Sequence, residues 1–171
     1  MPGPPTSTAL RAAVWAEANM LAAALDRLHT GEATDTSAGT ATVKITSPSG
    51  ATAQATVGPT GIEVHIDAGD PLDAVTLRSY TIGATHMAWS WVTSESLSVD
   101  KSGEVQDLTI RSFEIARSAD TPNIEVKIEP SQGIPVPAGE AVFAAVAAAT
   151  WLSAGAPPTP GAKSTVIASN L

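Results

Sequence analysis

Two different spacings of apolar residues divide the chain. In the first stretch Leu10, Val14, Leu21, Leu25 and Leu28 recur at near-helical intervals, with Glu17, Asp26 and Arg27 mostly off that stripe. Thr8 stands where an N-cap is needed, before a helix opening at Ala9, and Gly31 is a natural stop after His29. The leucine stripe predicts packing on the domain core or docking on a partner subunit. Further along, the period drops to two. Ala41, Val43 and Ile45 alternate with Thr42, Lys44 and Thr46; Ala51, Ala53, Ala55 and Val57 alternate with Thr52, Gln54 and Thr56; Ile62, Val64 and Ile66 alternate with Glu63, His65 and Asp67. Turns at Pro48-Ser49-Gly50 and Gly58-Pro59-Thr60-Gly61 separate these runs. The pattern predicts a three-stranded antiparallel meander with one buried face and His65 on the polar one.

The second half mixes both periods. Asp70-Pro71 is placed to open a helical segment reaching about Thr93, interrupted at Gly83, with Trp89 and Trp91 as core or interface packing. Leu97 and Val99 start a short strand, Asp100 to Gly103 form a hairpin turn, and a second strand, continuous or else bulged or split, is predicted from about Val105 to Ile115. Ile124, Val126 and Ile128 alternate with Glu125, Lys127 and Glu129, another half-buried strand. The predicted class is α+β: antiparallel strands with an N-terminal helix, a central helical segment and a C-terminal alanine-rich helix. A single domain is expected over 1–171, with a lead-in over 1–8, a core over 9–156 and an extended tail over 157–171 that packs on a neighbour.

Composition narrows the chemistry. Of the 171 residues, 43% are hydrophobic and 15% charged, which fits a globular chain. Cysteine is absent, so disulfides and cysteine-ligated iron–sulfur or zinc sites cannot form within the chain. The formal charge of −8, with no Lys/Arg cluster, argues against a nucleic-acid surface. His29, His65 and His86 lack paired ligand spacing and are read as structural or solvated. The opening MPGPPTST has no basic region followed by an apolar one, so a cytoplasmic location is expected.

The candidate chemistry lies at Pro137-Ala138-Gly139-Glu140, ahead of the uncharged run from Ala141 to Leu152. That run is far short of the roughly 20 residues that span a bilayer, so it is read as a buried helix rather than a membrane segment. Pro137 and Gly139 place Glu140 at the helix N-terminus. There a carboxylate either complements the helix dipole or serves as a general base on a rigid shelf.

Several motifs stand in a telling order. A strand enters Asp67-Ala68-Gly69, followed by Pro71-Leu72-Asp73. Gly83-Ala84 opens a helical stretch ending Ser94-Glu95. Then come Asp100 with Gly103, Phe113-Glu114-Ile115, Asp120-Thr121-Pro122-Asn123-Ile124-Glu125-Val126, and Gly139-Glu140 before the alanine-rich helix. Over 62–153 this order resembles the C-terminal part of the molybdenum-binding subunit of the xanthine dehydrogenase, aldehyde oxidase and carbon monoxide dehydrogenase family. The resemblance implies that Glu140 is the catalytic base and that Gly139 and Gly83 lie by the cofactor. It departs from the family where Tyr80 stands in place of a glutamine. A complete subunit of that family is several times longer. The resemblance therefore implies a hetero-oligomer, in which partner subunits hold or share the molybdopterin cofactor and carry the iron–sulfur clusters and FAD. The implied role is a small subunit completing a molybdenum hydroxylase, which is an oxidoreductase. The alternative is a non-catalytic structural or assembly subunit derived from that family.

Overall fold

A computed structural model of the chain describes residues 8–30, 39–106, 109 and 111–156. The meander forms as its alternation predicts. Strands β1 (Ala41–Thr46), β2 (Thr52–Gly58) and β3 (Gly61–Asp67) pair antiparallel, and their burial alternates in step with the sequence. The fourth strand, β6 (Ile124–Ile128), joins the free edge of β3 in parallel, with Val64 opposite Val126 and His65 opposite Lys127. Alternation alone gives no strand order, so this long-range pairing is what the structure adds. A separate two-stranded ribbon, β4 (Ser98–Val99) with β5 (Val105–Gln106), closes over the turn at Asp100–Gly103. The longer strand expected to Ile115 is not formed: 111–114 is a turn, with Glu114 at positive φ.

Helix α3 (Gly139–Ser153) is the centre of the fold. It lies across the apolar face of β1 and β2, and both α1 (Thr8–Thr30) and α2 (Ala74–Thr93) pack on it. Being covered on both sides explains its composition. Ala141, Val142, Ala144, Ala145, Val146, Ala147, Ala148 and Ala149 are all fully buried. Alanine has the highest helix propensity, and its small side chain lets neighbours approach closely. The larger core side chains, Val142, Val146, Val64 and Ile66, come from α3 and β3. Val142→Ala is expected to leave a void and cost about 1.5–4 kcal/mol, read as a lowered urea midpoint with an unchanged slope.

Two helix details differ from expectation. Helix α2 opens at Ala74 rather than at Pro71, because the Asp73 carboxylate accepts a hydrogen bond from the Thr76 amide at 2.6 Å and caps the first turn. It then runs unbroken through Gly83, whose flank is open. One glycine's propensity cost is offset by packing on either side of it, through Thr81, Ala84, Thr85 and Ala88. Helix α1 turns the other way round from its leucine stripe. Its inward positions are the buried Ala16 and Met20, with Ala23 partly buried, while Val14, Leu21 and Leu25 face outward. Small residues suit the close approach to alanine-rich α3, and the bulky residues are displaced to the opposite side. The Gly31 stop and the tail lie outside the described residues, as does the lead-in up to residue 7.

Candidate functional site

Three chain segments meet at the start of α3. The strap of residues 129–138 returns from β6 along the continuation of β3. The Glu129 amide donates to the Ile66 carbonyl at 2.8 Å, the Asp70 amide to Gly133 at 2.8 Å, and the Val136 amide to Ala68 at 2.9 Å. Ser49 Oγ donates to the Pro137 carbonyl at 3.0 Å, which ties the strap's end to the first hairpin turn. Ala138, buried, then caps α3 without a side-chain hydrogen bond, and Gly139 and Glu140 form its exposed first turn.

Beside this turn, α2 and the end of the strap enclose an open cavity of about 430 Å³. Leu77, Tyr80, Met87, Val136 and Phe143 give it an apolar wall, and Ala138 and Gly139 form one rim. Glu140 follows that rim directly and stands one turn before Phe143, but does not line the cavity. Among the described residues Glu140 has no hydrogen-bond or ion-pair partner. A carboxylate on the first turn is favoured by the helix dipole. Its chemical capacity is that of a solvated acid–base group on a rigid helix, beside an apolar surface. Burial of that surface under a partner would remove water from around it.

Of the two glycines in the candidate set, Gly139 lines the cavity and Gly83 does not. An added Cβ at either would meet open space, so neither marks a close backbone approach. A molybdopterin carries a phosphate and a polar pterin edge, which call for charged and hydrogen-bonding donors. Among the described residues the cavity wall has no charged side chain, and the hydroxyl of its Thr81 already donates to the Leu77 carbonyl at 2.8 Å. The described residues also contain no group of three His, Asp or Glu arranged to hold a metal ion. The wall present here does not fit the cofactor.

Periodicity did not reveal a polar cluster on the opposite face of the sheet. His65 lies between two carboxylates: Nε2 is 2.5 Å from Glu63 Oε1 and Nδ1 is 2.8 Å from Glu129 Oε1. Lys127 Nζ donates to the same Glu63 oxygen at 2.6 Å. The i, i+2 spacing of Glu63-His65 and Lys127-Glu129 was visible in sequence, but the β3–β6 pairing that joins the pairs was not. The expectation of a polar-face His65 holds, with the ring half-buried rather than freely solvated.

No helix among the described residues is long and apolar enough to cross a membrane. No protein-family model matches the chain, and no curated protein matches it in sequence. Similar solved structures include quinoline 2-oxidoreductase from Pseudomonas putida 86, at 20% identity and a TM-score of 0.47 over 58% of this chain and 14% of that one. A Cu,Mo-CO dehydrogenase in the carbon monoxide-reduced state matches at 13% identity and a TM-score of 0.49, over 61% of this chain and 15% of that one. Reconstituted CO dehydrogenase from Oligotropha carboxidovorans matches at 14% identity and a TM-score of 0.47, over 58% and 14% respectively. The chain therefore spans about one seventh of the length of each.

Proposed function

We propose that this chain is a complementing subunit of a larger oxidoreductase of the molybdenum hydroxylase type. It docks on a partner that holds the cofactor and places the Glu140 carboxylate at the joint. The observation that carries this reading is the outward turn of bulky apolar side chains on two helices. Leu21 is 59% exposed on α1, and Tyr80 is 74% exposed on α2 with Met87 one turn pair further on. Tyr80 and Met87 line an apolar cavity, and exposed apolar side chains beside such a cavity are the usual mark of an interaction site. The family-like order of motifs over 62–153 supports the choice of partner, since it corresponds to one part of a much longer subunit. Within the joint, Glu140 is the group placed to accept a proton, and general-base catalysis is the role assigned to it.

One observation favours a second reading, a structural or assembly subunit without a catalytic residue. Glu140 has no partner among the described residues to orient it, and catalytic bases are generally held in place by neighbours. The two readings share the docking surface and separate on Glu140 alone. The docking itself is tested on the isolated full-length chain by light scattering. Self-association is expected, and Leu21→Asp with Tyr80→Asp is expected to suppress it, because charges on an apolar contact must be desolvated. A monodisperse monomer that the two substitutions leave unchanged would contradict the reading.

A further inference from the structure

The His65 cluster has a stoichiometry of protons that its geometry fixes. A neutral imidazole donates from one nitrogen and accepts at the other. Here both nitrogens face carboxylate oxygens, Glu63 at 2.5 Å and Glu129 at 2.8 Å, and neither carboxylate donates when ionised. Both contacts are hydrogen bonds only when the ring carries two protons. Glu129 is also the first residue of the strap, whose far end builds the cavity rim and leads into Glu140.

We propose that His65 and Glu129 form a protonation-dependent latch, which ties the 129–138 strap to β3 while the imidazole is doubly protonated and loosens it when the Nδ1 proton leaves. The groups on this face set the working range. From β3 come Glu63 and Asp67; from β6 and its extension come Glu125, Lys127 and Glu129. On β2 the residue opposite His65 is the neutral Gln54, with Lys44 of β1 beyond it. Acids thus dominate around the ring. The hydrogen bond to Glu129 first, and that to Glu63 second, raise the His65 pKa above its ordinary value against the opposing effect of burial. A raised value in the folded state means the latch is fully closed below the ordinary histidine range and opens as pH rises through the folded value. On the acid side, hydrogen bonds from Lys127 and then His65 hold Glu63 below the usual carboxylate range, so that partner stays charged as pH falls.

The test uses side-chain nitrogen NMR of the full-length chain from neutral to alkaline pH, with His65 assigned from the signal lost in His65→Gln. Hydrogen-exchange protection of the Glu129 and Val136 amides is followed alongside. A His65 titration above that of an ordinary imidazole is expected, with protection of both amides falling about two- to fivefold through it, the scale of a partly exposed ion pair. Glu129→Gln is expected to lower the titration midpoint and to remove the pH dependence of protection while leaving the fold intact. A His65 titration at or below that of an ordinary imidazole would overturn the proposal. So would strap protection that ignores the titration, or a Glu129→Gln chain with the wild-type profile.

Discussion

With Glu140 as the proposed general base, Glu140→Gln is expected to lower turnover of the proposed complex by about two orders of magnitude or more, the usual contribution of such a group. The amide keeps the shape of the side chain and removes its capacity to take a proton. Glu140 is exposed and unpartnered among the described residues, and α3 is held by its buried face rather than by this turn. Folding and assembly should therefore persist. On stability the substitution removes a favourable charge from the helix start, an effect of under about 1 kcal/mol. The measurement is turnover of the complex reconstituted with its partner chains, normalised to bound molybdenum. Unchanged turnover would assign the chain to the structural reading and take Glu140 out of the chemistry.

The largest loss of stability is expected at Gly69. Its φ is +75°, a left-handed conformation that side chains rarely adopt, and a Cβ there would collide with the Ile134 carbonyl across the strap. Gly69→Ala must either strain the backbone or push the strap away. Moving the strap breaks the flanking hydrogen bonds from Val136 to Ala68 and from Asp70 to Gly133. Strain and overpacking together are expected to cost roughly 2–5 kcal/mol, a large share of the roughly 5–15 kcal/mol that holds a domain together. Urea denaturation checks this, and a midpoint equal to the wild type's would show that the strap yields freely. Because the strap ends at the cavity rim, the same substitution should also weaken partner binding.

The meander was legible because alternation over β1, β2 and β3 is nearly unbroken, and turn residues separate the strands. Helix α3 was legible for a different reason: an uncharged alanine-rich run behind Pro137 and Gly139 has few other ways to satisfy its backbone. The orientation of α1 was not legible. Val14, Leu21 and Leu25 lie on the side opposite Ala16 and Met20, and helical spacing alone left open whether the larger residues face the core or a partner. The space available beside α3 decides it, and that space depends on contacts distant in sequence. The strand predicted to Ile115 ends early because the chain turns at 111–114, with Glu114 at positive φ. At the site, the position of Glu140 on the first turn of a helix was readable from local signals. The cavity beside it, and the carboxylate clasp around His65, arise from pairing of segments about 60 residues apart.

Docking on a large partner is the claim on which the rest depends. Its most direct measurement is the mass, by light scattering after size exclusion, of the chain mixed with a molybdenum hydroxylase large chain that lacks the corresponding segment. A stoichiometric complex is predicted for the wild type, and separate species for a chain carrying Leu21→Asp, Tyr80→Asp and Met87→Asp, whose fold is first verified by its circular dichroism and urea midpoint. Wild-type protein that elutes apart from the partner as a monomer, or a complex that survives all three substitutions, would contradict the account.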